Sequence, residues 1–148
     1  MFFLAQINIS RLLKPIDDPQ IAEFVNNLDR INELAESFKG FVWRLKDETG
    51  NATDIKVFDD SMIIMNMSVW KSIEELKAFA FHSDHITFMK KRNLWFEKPE
   101  MKQLALWWVK EGEFPNGEEG RKRLDYLNKH GETPYAFSFT KTFEPGKM

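Results

Sequence analysis

Apolar and polar residues alternate along four short segments of the chain. This period of two is typical of β-strands, whose successive side chains point to opposite faces of a sheet. The four predicted strands are Phe3–Ile9, Phe41–Leu45, Met62–Trp70 and Met101–Val109. A further strand or extended tail is predicted over Tyr135–Phe143.

The segment between the first two predicted strands has apolar residues at helical spacing. Asp18 is the expected N-cap and Pro19 the first helical residue, because an acidic cap followed by proline is a common helix start. Gly40 is the expected stop, since glycine often follows the last helical turn. A long amphipathic helix is therefore predicted between these residues.

Two more helices follow later in the chain. A capping box that begins at Ser72 predicts the second helix, with a break or kink near residues 82–84 before it continues through Trp95 and ends at Pro99. A charged helix is predicted over Glu118–Lys129.

The resulting order is β-α-β-β-α-β, followed by an extra helix and a terminal strand. This order predicts an α+β, ferredoxin-like split βαβ fold, in which two helices cover one face of a four-stranded antiparallel sheet. A length of 148 residues favours a single domain over 1–148, with a core of about 1–110 and a C-terminal extension over 111–148.

Each predicted strand has one apolar face, which is assigned to burial under the two helices. The second strand is less clear, and Phe41, Trp43 and Leu45 are placed under the helices. The opposite face combines amides, a hydroxyl, a guanidinium and indoles: Gln6, Asn8, Arg44, Asn66, Ser68, Trp70, Gln103 and Trp107. This set is too aromatic for a solvent-facing sheet and too polar for a dry core.

Two such sheets pressed face to face would enclose a polar, tryptophan-lined cavity. The mixed face therefore predicts a homodimer that binds a small-molecule ligand. The alternative is a plain dimer interface in which the amides pair with one another.

Composition narrows the function. The chain has 14 Phe and 5 Trp, no cysteine and a net charge of −2. These values exclude thiolate chemistry and give no electrostatic reason to expect nucleic acid or an anionic membrane as a partner. The N-terminal apolar run is interrupted by Gln6 and Asn8, so it predicts a strand rather than a signal peptide, and a cytoplasmic protein is expected.

Several residues are candidates for chemistry. Arg44 is a candidate anchor for a ligand carboxylate or enolate, with a salt bridge as the alternative. Trp70 and Trp107 are candidates for stacking on a planar ligand. His85 is a candidate general base or axial haem ligand, and His82 lies three residues before it. The alternative for both histidines is an ordinary surface or packing role, and no other metal site is predicted.

The polar segment Lys46–Asp60 contains Gly50-Asn51, a turn signal. Its length makes it a candidate lid or rim of the cavity. A passive connection between the second and third strands is the alternative.

Two resemblances extend this interpretation. The stretch Val69-Trp70-Lys71-Ser72 resembles the antibiotic-biosynthesis-monooxygenase-like group of the dimeric α/β-barrel superfamily. The whole chain is more similar to a bacterial family of that superfamily defined only as a domain of unknown function. The segments that carry this similarity are 4–8, 40–45, 50–54 and 106–109.

The superfamily resemblance implies homodimers. The superfamily includes cofactor-free oxygenases, haem proteins and simple binding proteins. Its haem-degrading members use an Asn on the first strand together with a Trp and a His on the second helix. Asn8 matches the first of these. The other two positions fall on Phe79 or Ala80 and on Met89 or Lys90, which argues against haem degradation of this type.

Three functions follow as hypotheses. The first is a cofactor-independent, monooxygenase-like enzyme for a small aromatic or quinone-type substrate, in which Asn8, Asn66 and Trp70 orient the substrate, Arg44 holds its charge and His85 moves a proton. The second is a haem protein with His85 as axial ligand. The third is a non-catalytic binding or dimerisation module.

Overall fold

A computed structural model describes residues 1–46, 60, 62–82 and 90–145, with the backbone alone at His82. Four antiparallel strands form one sheet in the spatial order β2-β3-β1-β4. The strands are β1 (Phe2–Arg11), β2 (Phe41–Arg44), β3 (Ile63–Trp70) and β4 (Leu104–Lys110). The α-helices of the described residues are α1 (Ala22–Ser37), α2 (Ile73–His82) and α3 (Gly117–His130). The arrangement is α+β and ferredoxin-like, as the element order predicts.

The predicted helix starts are confirmed by their caps. Asp18 Oδ1 accepts a hydrogen bond of 2.8 Å from the backbone N–H of Gln20, and Pro19 opens a 3-10 turn that leads into α1. Ser72 Oγ accepts a hydrogen bond of 3.2 Å from the backbone N–H of Glu75 at the start of α2. Each cap satisfies a backbone donor that the helix itself leaves unpaired.

The assignment of the two sheet faces is wrong. Helices α1 and α2 cover the mixed face, because their apolar residues pack on its large aliphatic and indole side chains. This cluster consists of Leu4, Ile31, Ala35, Trp70, Leu76, Phe79, Leu106, Trp108 and Phe137. We call this side of the sheet the α1/α2 face.

The apolar face of the sheet is covered instead by the C-terminal helix α3. Leu124 and Leu127 of α3 pack with Ala5, Ile7 and Val69. Gly120 allows this close approach, since a Cβ atom at that position would lie 2.9 Å from Ile7 Cδ1. Of the second strand, only Phe41 packs under α1 and α2, whereas Trp43 and Leu45 pack on the α3 face.

Three predicted segments differ or lie outside the described residues. The predicted break near residues 82–84 and the continuation over 83–89 lie outside the described residues, but the end of the predicted helix is wrong, because Arg92–Leu94 forms a 3-10 turn and Phe96 pairs with Leu12 of the chain beyond β1. The predicted strand Tyr135–Phe143 makes isolated bridges, since tight turns around Thr133 and Ser138 interrupt it. Residues 47–59 of the candidate lid lie outside the described residues.

None of the helices in the described residues combines the length and apolar character that crossing a bilayer requires.

Candidate functional site

A cavity of about 190 Å³ lies between the α1/α2 face of the sheet and the two helices. One chain supplies its described lining, so it forms without the second sheet that the sequence predicts as its roof. Its polar lining residues are Gln6, Asn8, Ser10, Asn32, Arg44, Asn66, Ser68 and Arg92. Much of its apolar lining is aromatic: Phe24, Phe41, Trp70, Phe79, Trp95, Phe96 and Phe139.

A hydrogen-bonded group of side chains lies at the centre of the cavity floor. Gln6 Nε2 donates to Asn66 Oδ1 and to Ser68 Oγ, both at 2.8 Å. Trp70 Nε1 donates to the same Ser68 oxygen at 2.8 Å. The register explains the contacts, because Gln6 lies opposite Ser68 on neighbouring antiparallel strands. Since Ser68 Oγ accepts two bonds, its hydroxyl hydrogen remains as a donor.

Asn8 lies beside this group and opposite Asn66 in the register. It is half-buried, and its side-chain amide has no hydrogen-bond partner among the described residues. The amide therefore offers both a donor and an acceptor to a molecule in the cavity.

Trp70 is a packed core residue as well as part of the cavity lining. It is 1% exposed, and Phe79 stacks on its ring at a centroid distance of 5.2 Å. Phe38 and Phe41 contact it edge to face. Because its indole N–H is bound to Ser68, Trp70 holds the Ser68 hydroxyl in place and has no further hydrogen-bond donor to offer to the cavity.

Arg44 lies at the edge of the cavity, opposite Ser68 in the register. Its side chain is 12% exposed, its Nη2 donates a long hydrogen bond of 3.4 Å to Glu36 Oε1, and its Nε lies 3.4 Å from the same oxygen. The distance of 3.4 Å is long for an ion pair. The buried Nε–H has no hydrogen-bond acceptor within the described part of the chain. Arg44 therefore lines the cavity and also pairs with Glu36 of α1, whereas the salt bridge expected from the sequence was to a neighbouring strand or to the Asp47/Glu48 region, which lies outside the described residues.

Trp107 is not part of the cavity, which corrects its place on the mixed face. It lies opposite Ala5 in the register, so it points to the α3 face with Ile7 and Val69. The Arg123 guanidinium of α3 lies 5.4 Å from its ring centroid. Successive side chains of a strand point to opposite faces, so an error of one residue in assigning β4 places Trp107 on the wrong face of the sheet.

Gln103 lies outside the lining but positions a residue that the sequence did not single out. Its Oε1 accepts a hydrogen bond of 3.2 Å from Arg92 Nη2, and Arg92 lines the cavity. Arg92 lies in the 3-10 turn Arg92–Leu94, at the end of the segment predicted as helix. The side chain of His82 and all of His85 lie outside the described residues, so their roles stay predictions.

The described lining contains no carboxylate, imidazole, amine or phenol. Two carboxyl groups elsewhere have a lowered pKa. A hydrogen bond from Arg11 lowers the pKa of Asp60, and at Glu132 hydrogen bonds from Ser138 and Lys102 outweigh the opposing effect of burial. Neither lines the cavity, so the described site offers hydrogen bonds and positive charge but no group that exchanges a proton near neutral pH.

The family model described as "Domain of unknown function (DUF3291)" matches residues 3–148. The chain belongs to this family. The match covers every element that lines the cavity, from β1 to the segment that contains Phe139, so the cavity lies within the DUF3291 domain. The sequence resemblance to a domain of unknown function is confirmed at this level.

Two solved structures of distantly related sequence are similar to this chain, and the first supports its fold. A Nitrosomonas europaea protein of unknown function has a TM-score of 0.50 and 14% identity, over 79% of this chain and 98% of its own. A Nitrosomonas europaea protein provisionally named an antibiotic biosynthesis monooxygenase has a TM-score of 0.47 and 13% identity, over 78% of this chain and 94% of its own. No curated protein matches this chain significantly.

Proposed function

We propose that this DUF3291 protein binds a small aromatic or quinone-type compound in the cavity between its sheet and helices, and oxidises it as a cofactor-independent monooxygenase. The observation that carries the proposal is the composition of the cavity. A hydrogen-bonded group formed by Gln6, Ser68 and Asn66, with the amide of Asn8 beside it, lies in a cavity whose apolar lining combines aromatic and aliphatic side chains. Such a site is suited to a flat apolar ligand with one or two oxygen atoms.

The size of the cavity limits the ligand. Pockets for drug-sized molecules measure roughly 300–1,000 Å³, and this cavity is about 190 Å³. The volume therefore favours one or two fused rings. Phe79 and Phe96 offer apolar ring surface to such a ligand, while the amides on β1 and β3 fix the direction of its oxygen.

The reaction that fits this ligand is the oxidation of a phenol by dioxygen. The O–H bond of the phenol and the C–H bond para to it are broken, and a second C=O bond forms at that carbon. One oxygen atom of O₂ enters the product quinone, and the other leaves as water with the two hydrogens. The Asn8 amide and the Ser68 hydroxyl would stabilise the phenolate that donates electrons to O₂.

The acceptor of the phenol proton is not among the described lining residues. His85 remains the predicted general base. Because the residues that surround the phenolate oxygen act by donating hydrogen bonds, their removal should affect the rate more than the affinity.

The haem alternative has no support in the described lining. No histidine is present there, and a cavity of about 190 Å³ lies below the size range of drug-sized pockets, whereas a haem is larger than most drugs. The alternative depends on His82 and His85, and it stays a prediction.

A homodimer and a cytoplasmic location also stay proposals. The chain's own helices cover the α1/α2 face, and α3 covers β1 and β4 on the other side. A second copy that packs sheet against sheet would have to displace α3 or pack beside it near β2, where Phe114 stacks on Trp43 at 5.2 Å.

Oxygen uptake with 1-naphthol tests the proposed reaction. We expect the wild-type protein to consume O₂ and form 1,4-naphthoquinone, and Asn8→Ala to lower kcat by about 100-fold, because one hydrogen bond to the developing oxyanion is lost. Asn26→Ala, an exposed amide on α1, is the matched control and should leave the rate unchanged. Absence of uptake by the wild-type protein, or equal rates in Asn8→Ala and the wild type, would refute the reaction.

A further inference from the structure

The charge of the cavity lining is one-sided. Two guanidinium groups, Arg44 and Arg92, line the cavity, and no carboxylate is found among its described lining residues. The chain as a whole has 23 acidic and 21 basic residues, so this imbalance does not reflect the composition of the protein. An enclosed site with unbalanced positive charge attracts an anion.

Arg44 is only weakly neutralised. Among the described residues its carboxylate partner is Glu36, which accepts a long hydrogen bond of 3.4 Å from Nη2 and is itself 36% exposed to solvent. The same carboxylate also contacts Lys46 at 3.5 Å, so its charge is shared between two cations. A buried guanidinium with an open Nε–H gains free energy from a closer anion, because charge-assisted hydrogen bonds are stronger than neutral ones.

Arg92 has a neutral partner. Its Nη2 donates to the amide oxygen of Gln103 at 3.2 Å, and no carboxylate contacts it within the described part of the chain. This hydrogen bond orients the guanidinium without reducing its charge. The remaining N–H groups of its planar fork are available to an anionic oxygen.

The two arginines lie on opposite sides of the amide group. Arg44 is on β2, at one edge of the sheet, while Arg92 is bound to Gln103, which precedes β4 at the other edge. Asn66 and Ser68 on β3, and Gln6 and Asn8 on β1, lie between them. A flat ligand held by these amides therefore has a positive charge towards each end.

We propose that the ligand of the cavity is a small hydroxyaryl carboxylate, whose carboxylate binds Arg44 and whose ring hydroxyl lies at the amide group. This inference rests on the proposed function and names its substrate class. Glu36 is the counter-ion that the ligand carboxylate displaces from Arg44. Arg92 contributes favourable charge at the hydroxyl end, where it stabilises the phenolate form.

A matched pair of ligands tests the inference. 5-Hydroxy-1-naphthoate and 1-naphthol differ by one carboxylate, which lies on the ring that does not carry the hydroxyl, and their affinities can be measured by isothermal titration calorimetry under nitrogen. We expect the carboxylate to bind at least about tenfold more tightly, since a hydrogen bond to a charged group is worth that factor or more. Equal affinities, or a preference for 1-naphthol, would overturn the inference and leave the proposed function standing.

Substitutions assign the preference to a residue. Arg44→Gln should remove the preference for the carboxylate and leave the affinity for 1-naphthol within about threefold of wild type. Arg44→Lys should keep part of the preference for the carboxylate. Arg121→Gln removes one positive charge from α3, on the other side of the sheet, and should change neither affinity. A preference that persists in Arg44→Gln would contradict the role of Arg44. Failure of both ligands to bind the wild-type protein would refute the proposed function itself.

Discussion

Replacing Trp70 with alanine should lower the free energy of unfolding by about 3–5 kcal/mol, as is typical when a buried aromatic side chain is removed from a packed core. The indole is 1% exposed and contacts Phe38, Phe41 and Phe79. Its loss would leave a void between β3 and both helices and would free Ser68 Oγ from one of its two donors. Urea denaturation followed by circular dichroism measures the change.

Trp70→Phe separates the packing role from the hydrogen bond. A phenyl ring keeps most of the apolar contact and loses the N–H donor, so we expect a smaller loss of about 1 kcal/mol. If Trp70→Ala and the wild type had the same urea midpoint of unfolding, Trp70 would not be the core residue that its contacts indicate. If Trp70→Phe cost as much as Trp70→Ala, the bond to Ser68 would dominate instead.

Gly40→Ala should destabilise the protein by about 3 kcal/mol. The residue has φ of +91°, a left-handed conformation that costs an L-amino acid about 1–3 kcal/mol. In addition, its Cβ atom would overlap the Glu75 side chain and lie only 2.6 Å from Glu75 Cβ. Because that neighbouring atom is fixed to α2, the overlap can be relieved only by moving the helix or the turn before β2.

Gly112→Ala is the control for this effect. Gly112 has φ of +89°, but a Cβ atom there would meet nothing within 4 Å. We expect a cost of about 1–2 kcal/mol from the backbone conformation alone. The difference between the two variants in urea denaturation measures the contact with α2, and equal losses in both would show that this contact contributes nothing.

The order of elements could be predicted from the sequence because its signals are local. The Asp18-Pro19 start and the Ser72 cap each depend on a few neighbouring residues, and both are confirmed. Which face of the sheet each helix covers is a long-range property. The fully apolar face was assigned to the first two helices, but α3 occupies it, and no local pattern states where a C-terminal helix packs.

Part of the site could also be predicted. Gln6, Asn66 and Ser68 were placed on one face by the period of two, and the register brings them into hydrogen-bond contact. Trp107 was misplaced, because the apolar and aromatic run of β4 gives no clear alternation. Arg92 was missed because it falls within the predicted continuation of the second helix, whereas residues 92–94 form a 3-10 turn and the tertiary structure brings Arg92 to the cavity.

The central claim is that a ligand binds in the cavity between the sheet and helices of one chain. Ala35 on α1 is 9% exposed and lines that cavity, so Ala35→Leu should fill part of its volume. Ala22→Leu, at an exposed position of the same helix, is the matched control. Calorimetric titration with 1-naphthol under nitrogen is the most direct test. The account predicts saturable binding to the wild type and Ala22→Leu, with affinity at least about tenfold lower in Ala35→Leu. Equal binding by all three proteins, or none by the wild type, would contradict it.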